Sequence, residues 1–333
     1  MPSPTILVTG GAGFIGSNIV ANLTQDRGCD VVVCDRLRDA AGGKWRNLAK
    51  HAIADFIPPE GLFEWLDRGG GGPDLIVHMG AISSTLEGDA DRIVATNFGL
   101  SRDLFRWCAA HGRPFIYASS AATYGDGTRG FDDAQDLESL RALRPLNAYG
   151  WSKALFDQFV ARQVGQGLSP PRWTGLKFFN VYGPNEGHKG AMSSVVNQIW
   201  PKVARGEGVS LFKSHREDYA DGSQTRDFIY VKDVADCVGW LARSGGVNGV
   251  FNLGSGEDRS FADLARAVFA AAGRQPRIDY IDMPESIRPT YQYHTRARME
   301  RLRAAGWNAA TTRLEDGVAD YVQRYLSTAD PYR

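Results

Sequence analysis

Tyr149 and Lys153, in the run Asn147-Ala-Tyr149-Gly-Trp-Ser-Lys153, set a phenol and an amine four residues apart. On a helix that spacing puts both side chains on one face, roughly 5–6 Å apart at Cβ. A phenol titrates near ~10, and a neighbouring positive charge favours the phenolate, so the pair can exchange a proton with a substrate hydroxyl. Alone, the spacing suits an ordinary surface helix better than a reactive pair. The start of the chain changes that balance, because it reads as a nucleotide site.

Thr5-Ile-Leu-Val-Thr9 has the composition of a short buried strand. It runs into Gly10-Gly-Ala-Gly13-Phe14-Ile15-Gly16, a helical pattern from Ser17 to Thr24, and a second apolar strand, Val31 to Cys34, ending in Asp35. Strand, glycine turn, helix, strand and an acid about 20 residues on form a dinucleotide-binding unit. Gly10 allows the tight turn, Gly13 lets backbone approach a pyrophosphate, and Gly16 permits close helix–strand packing. The helix N-terminus offers N–H groups and a positive dipole end to the phosphates. Asp35 suits an adenosine ribose hydroxyl. Arg36, with Arg38 and Lys44 nearby, suits a 2′-phosphate. The expected cofactor is NADP, with NAD as the alternative.

The elements that must position these groups follow from the apolar pattern. Further strands are expected at Leu75–His78, Pro114–Ala118 and Trp173–Phe179, with helices around Asp91–His111 and Tyr149–Gln166. Strands alternating with helices predict an α/β fold, a Rossmann-type doubly wound parallel sheet. Ligands bind beyond the carboxyl ends of such strands. Met79-Gly80-Ala81-Ile-Ser83 and Ser119-Ser120-Ala-Ala-Thr123 follow strand ends, so both are expected at the cleft. His78 reads as a packing residue. The glycine run 69–72 reads as a flexible connection, and Asp126–Arg144 as a surface excursion over the site. The expected division is a dinucleotide-binding domain over 1–178, to which 225–254 returns, and a smaller substrate lobe over 179–333. Helices are expected there at Ser193–Arg205 and Phe261–Ala272.

The 333 residues balance 38 basic against 38 acidic side chains. No basic excess points to nucleic acid or an anionic membrane surface. No apolar run approaches the roughly 20 residues that span a bilayer. Met-Pro-Ser-Pro runs straight into a strand, unlike a signal peptide. Cys29, Cys34, Cys108 and Cys237 show no metal-ligand spacing, and the first three sit in apolar surroundings. Buried thiols suit a reducing cytoplasm, the expected location. The six histidines are scattered, so no metal site is expected.

The variant Thr-Gly-Gly-Ala-Gly-Phe-Ile-Gly, taken with Ser120 and Tyr149-x3-Lys153, resembles the extended short-chain dehydrogenase/reductase family. The resemblance implies that Ser120 hydrogen-bonds the substrate hydroxyl and Tyr149 exchanges its proton. Lys153 would hold the nicotinamide ribose and lower the phenol's pKa. Thr123 would be an auxiliary contact, and Asn97, in Ala95-Thr-Asn97, would border the cofactor. General acid–base catalysis of this kind contributes ~10²–10⁴-fold.

Phe179-Asn180-Val181-Tyr-Gly-Pro184-Asn-Glu186-Gly-His188-Lys189-Gly190 resembles the ADP-glyceromanno-heptose 6-epimerases within that family, as do Arg226-Asp-Phe-Ile-Tyr and Phe251-Asn-Leu-Gly254. The resemblance implies that Lys189 is a second acid/base. The C6 hydroxyl would be oxidised to a ketone, re-presented in a new orientation, and reduced on the opposite face. It also places Asn180 and Lys189 near the cofactor. Substrate contacts carried over are Val181, Ala191, Gln198, Phe212, Lys213, Ser214, His215, Arg226 and Tyr291, with Arg226 gripping the diphosphate. His188 would shape the loop. The expected partners are an ADP-heptose nucleotide sugar and further copies of the chain in a homo-oligomer.

The chain departs from that pattern at several places. Ala191 stands for a usual Ser, Gln198 for His, Met79 for Glu and Lys177-Phe178 for Arg-Tyr, and Arg216–Gln224 reads as an insertion. A UDP-hexose 4-epimerase is the alternative enzyme. A 4,6-dehydratase lacks support, since Ala121-Ala122-Thr123 replaces a Thr-Asp-Glu acid pair. A non-catalytic NADP-sensing protein is the alternative outside enzymes, and intact Tyr149 and Lys153 argue against it.

Overall fold

A computed structural model describes residues 3–26, 28–38, 43–68, 72–85, 87–245, 247–285, 287–288 and 291–333. Most of the glycine run at 69–72 lies outside the described residues. In chain order the first half forms β1 (Thr5–Thr9), α1 (Phe14–Ala21), β2 (Asp30–Cys34), β3 (Asp55–Ile57), α2 (Leu62–Asp67), β4 (Leu75–His78), α3 (Ala90–Ile93), α4 (Leu100–Ala110), β5 (Phe115–Ser120), α5 (Leu137–Ala142) and α6 (Ala148–Gly165). The second half adds β6 (Trp173–Phe178), β7 (Asn180–Tyr182), α7 (Val195–Ala204), β8 (Val209–Phe212), β9 (Thr225–Tyr230), α8 (Val231–Arg243), β10 (Gly249–Leu253), β11 (Asp258–Ser260), α9 (Phe261–Ala271) and β12 (Ile278–Ile281).

Seven strands make one parallel sheet in the order β10-β6-β5-β4-β1-β2-β3. Alternate residues of each strand feed opposite faces, as the pleat requires. Ile6 and Val8 of β1 join one core with Ile19, Val20, Val234 and Val238 of α1 and α8. Leu7, between them, joins the other with Leu104, Phe105, Phe156 and Phe159 of α4 and α6. Burial on both faces explains why β1 and β4 read as apolar runs. β1 lies between β2 and β4, so the strand order reverses there and opens a crevice at its carboxyl end.

Residues 180–281 build two small sheets, β11-β9-β7 and β12-β8, over a separate core of Tyr182, Val196, Phe228, Tyr230, Leu264 and Val268. Phe14 of α1 packs into this second core, so the helix that begins at the glycine turn touches both halves of the molecule.

Three expectations are corrected. The helix at Asp91–His111 is two helices joined by a π-helical turn, Val94–Gly99. The segment Asp126–Arg144 does not cover the cleft. It seals the free edge of β10: Asp133 accepts from Asn252 N at 2.9 Å and Gln135 from Val250 N at 3.1 Å. An open edge would otherwise expose unpaired backbone groups. Cys29 is half-buried, whereas Cys34, Cys108 and Cys237 are buried, and burial raises their thiol pKa values, Cys34 to about 12. Among the described residues, no helix is long and apolar enough to cross a membrane.

Candidate active site

A cavity of about 560 Å³ opens beyond the carboxyl ends of β1, β4, β5 and β6. Its floor is the glycine turn. Gly10 has φ +68°, and a Cβ there would stand 2.6 Å from Gly80 N. A Cβ on Gly16 would stand 2.1 Å from the carbonyl oxygen of Gly10, so only glycine lets α1 start this close to β1. A Cβ on Gly13 would meet nothing but that same carbonyl, at 3.1 Å, leaving its outer side open to the cavity. No side chain caps the N-terminus of α1. The first N–H groups of a helix lack intrahelical partners, which makes this end a phosphate cradle. A dinucleotide fits what is there.

Asp35 ends β2 at the rim. Its Oδ2 accepts from Ala12 N at 2.9 Å, which fixes the carboxylate to the glycine turn. Its Oδ1 accepts from Lys44 Nζ at 2.7 Å. Both line the cavity, as do Phe14, Ile15, Met79, Gly80, Ala81 and Ser83. Arg36 does not. Its guanidinium is exposed and paired with Glu60. Asn97 is also absent from the lining. It is fully buried, its Oδ1 accepting from Ile82 N at 2.8 Å and its Nδ2 donating to Ile82 O and Ser152 Oγ at 3.0 Å. It pins the Gly80–Ser83 wall to α6, and this position behind the wall departs from the expected cofactor contact. His78 hydrogen-bonds Thr9 at 2.6 Å and Ser101 at 2.8 Å, and burial lowers its pKa to about 3. It is a neutral packing residue.

The chemical wall comes from β5 and α6. Asn147 caps α6 by accepting from Gly150 N at 2.8 Å, which sets the helix so that Tyr149 and Lys153 both face the cavity. Ser120, at the end of β5, lines the cavity together with Tyr149. Burial raises the Tyr149 pKa, and the neighbouring Ser120 hydroxyl opposes that rise. Lys153 donates to Ala118 O at 2.8 Å; burial lowers its pKa to about 8, against an opposing pull from Asp157. Thr123 turns away, donating to Ser120 O at 2.8 Å.

Lys189 enters from the second half of the chain, on a 3-10 turn spanning Gly187–Met192. Its ammonium lies 5.5 Å from the centre of the Phe14 ring. Burial lowers its pKa, and Glu186 opposes this. Glu186 has no role in the sequence reading beyond its place in the Glu-Gly-His-Lys-Gly run, yet it anchors the turn. Its carboxylate accepts from Ser194 N and Ser194 Oγ, each at 2.5 Å, and is buried. His188 also lines the cavity.

Arg226, Asn180 and Val181 complete the far wall. Arg226 is buried and makes no ion pair with Asp227, whose carboxylate is taken by the N–H groups of Ser255, Gly256 and Ala297. The guanidinium instead donates to the carbonyls of Thr225 and Gln292 and lies between the rings of Phe261 and Tyr291. Burial lowers its pKa. Phe212, Lys213, Ser214, His215, Tyr291, Ala191 and Gln198 do not line the cavity. Gln198 braces the Lys189 turn, donating to Ala191 O at 3.1 Å and Ser193 O at 2.7 Å. The insertion is tied back to the segment before it, with Asp221 accepting from Ser214 N at 2.8 Å. Its Tyr219 packs at a tilt against Tyr293, which meets Tyr291 beside Arg226. Met192, Val195, Phe228 and Phe261 line the cavity without having been anticipated. They are core-type residues on separate elements, and only the fold brings them together.

Residues 6–254 match the family model described as the NAD dependent epimerase/dehydratase family. The chain is 47% identical, over 98% of its length, to the ADP-L-glycero-D-manno-heptose-6-epimerase of Nitratidesulfovibrio vulgaris (strain DP4), covering 99% of that protein. It is 43% identical to the enzyme of the same name from Fusobacterium nucleatum subsp. nucleatum, covering 98% of this chain and 99% of the relative. Among solved structures, the Helicobacter pylori ADP-L-glycero-D-manno-heptose-6-epimerase superposes with a TM-score of 0.80 at 27% identity, covering 98% of this chain and 97% of that one. The glycine cradle and the Ser120–Tyr149–Lys153 wall thus have matching sequence and architecture around them, and the chain belongs to the NAD dependent epimerase/dehydratase family.

Proposed function

We propose that this protein is an isomerase that inverts C6 of ADP-D-glycero-β-D-manno-heptose to give ADP-L-glycero-β-D-manno-heptose, using bound NADP. The observation that carries the reading is that Lys189 lines the same cavity as Ser120 and Tyr149. One redox site therefore has proton-transfer groups from two separate parts of the chain. The name of the relatives at 43–48% identity supports the choice of sugar.

Bound dinucleotide supplies reversible two-electron oxidation of the C6 alcohol, a chemistry the protein positions rather than performs. Gly10, Gly13, Gly16 and the N-terminus of α1 would hold its pyrophosphate, and Lys153 its nicotinamide ribose. Lys44, beside Asp35, supports NADP over NAD, because a 2′-phosphate there meets a cation. Ser120 orients the C6 oxygen by hydrogen bonding. Burial keeps the proton on Tyr149 and eases its loss from Lys189. Tyr149 and Lys189 would each serve one orientation of the C6 oxygen, and the ketone must turn between them so that both faces of C6 can be served. Arg226 would grip the diphosphate, so that the sugar can turn while the nucleotide stays fixed.

The test is to incubate purified protein with ADP-D-glycero-β-D-manno-heptose, without added cofactor, and follow C6 by NMR. Inversion is the expected result. No inversion there, with inversion at C4 of a UDP-hexose, would overturn the assignment. The buried thiols support action in the reducing cytoplasm. Assembly as a homo-oligomer is expected in light scattering as a mass above the 36.5 kDa of one chain.

A further inference from the structure

Directly behind the catalytic wall lies a second charged pair that the chemistry does not touch. Lys177 Nζ on β6 stands 2.7 Å from Asp157 Oδ2 on α6, and their side chains are 1% and 0% exposed. An ion pair with no access to solvent must recover a desolvation cost of several kcal/mol per ion. It does so only when the remaining donors and acceptors are satisfied, and here they are. Asp157 also accepts from Ser119 Oγ at 2.8 Å and Tyr117 OH at 3.1 Å. Lys177 also donates to Thr123 Oγ1 at 2.8 Å, and Thr123 donates to Ser120 O. The pair therefore grips both ends of the turn carrying Ser120. Asp157 sits four residues after Lys153, one helical turn along the same face.

We propose that Asp157 and Lys177 are positioning residues for the redox site, fixing the Ser119–Thr123 turn together and setting the charge on Lys153 between them, Asp157 favouring the ammonium and Lys177 opposing it. This rests on the functional reading above, in which Lys153 works as a cation on the nicotinamide ribose. The charged and titratable groups around Lys153 are Tyr149 and Asp157 on α6 and His78 on β4, with Tyr117 on β5 and Lys177 on β6 bonded to the same Asp157 and the Tyr124 ring beside Lys177. His78 is neutral, and Tyr117 and Tyr124 are pushed further from ionisation by burial. Asp157 is the group that raises Lys153 against burial. Lys177 competes for the same carboxylate.

The two members of the pair should therefore act on Lys153 with opposite sign. The affinity of the holoprotein's cofactor site for NADPH, followed by nicotinamide fluorescence between pH 6 and 10, reads the Lys153 proton without needing turnover. Asp157→Asn is expected to move the alkaline loss of affinity to lower pH by roughly one unit. Lys177→Met is expected to move it to higher pH, and Lys177→Arg to restore the wild-type profile. General destabilisation cannot produce displacements of opposite sign. Because either single variant leaves a buried charge alone, the double variant Asp157→Asn, Lys177→Met provides a folded control, expected to show a smaller acid shift. An unmoved alkaline limb in the folded variants overturns the inference. Epimerisation of ADP-heptose by the wild type, measured alongside, separates that outcome from failure of the functional reading.

Discussion

Lys44 closes over Asp35 at the rim of the dinucleotide cradle, its amine 2.7 Å from Oδ1 and 2.8 Å from the carbonyl oxygen of Arg36. A bare carboxylate at the end of β2 would favour a ribose hydroxyl and repel a phosphate. Here the carboxylate is already ion-paired, and the Lys44 and Asp35 side chains are only 15% and 11% exposed. Lys44→Ala is accordingly expected to weaken NADP binding more than NAD binding. A lost charge-assisted hydrogen bond costs ~1.5–3 kcal/mol, on the order of 10–100-fold in affinity. Isothermal titration with both dinucleotides decides it; equal losses would count against a 2′-phosphate at this rim.

Gly16→Ala should abolish cofactor binding. The added methyl lies 2.1 Å from a backbone carbonyl that has no rotamer to escape through. Either α1 moves off β1 or the turn opens, and both dismantle the phosphate cradle. Loss of dinucleotide retention during purification, read as absorbance of released cofactor, is the expected result.

Tyr149→Phe and Lys189→Met should each reduce epimerisation by roughly 10²–10⁴-fold while leaving NADP affinity within a few-fold. Both proton-transfer groups are needed if the ketone turns between them. Full inversion by either variant in the NMR assay would show that one group serves both faces.

The neutral, buried His78 makes stability depend on acid. Its folded pKa, about 3, lies well below the 6.5 of an unfolded histidine, so the unfolded chain binds the extra proton. The contribution is complete above pH 6.5 and is lost as pH falls towards about 3, at ~1.4 kcal/mol per pH unit. Chemical denaturation of wild type and His78→Asn across this window should show a shallower acid slope in the variant.

Much of this arrangement is legible in the residues themselves. β1 and β4 end where apolar runs meet Gly10 and Met79, because a strand buried on both faces leaves an unbroken signal. The Tyr149–Lys153 face needs only helical periodicity. What sequence does not reveal is pairing across elements. Asn97 has the residue type of a cofactor contact, yet its amide is consumed by Ile82 and Ser152, partners set by the π-helical turn. Lys177 stands out in sequence only as a departure from a usual Arg. Its meaning appears when β6 meets α6 and Asp157 stands 2.7 Å away. The Asp126–Arg144 excursion hides its place for a related reason: its polar groups answer to the edge of β10, a strand more than a hundred residues later.

Arg226 has a consequence for how the molecule responds to its substrate. Its guanidinium is buried, and among the described residues no carboxylate forms an ion pair with it. The fold thus carries an open electrostatic debt, partly softened by two carbonyls and two aromatic faces. On the proposed reading, a nucleotide diphosphate would supply the missing counter-charge. Ligand binding would then act as a late step of folding, tightening the packing of β9 and α9 around a cation that was waiting for its anion.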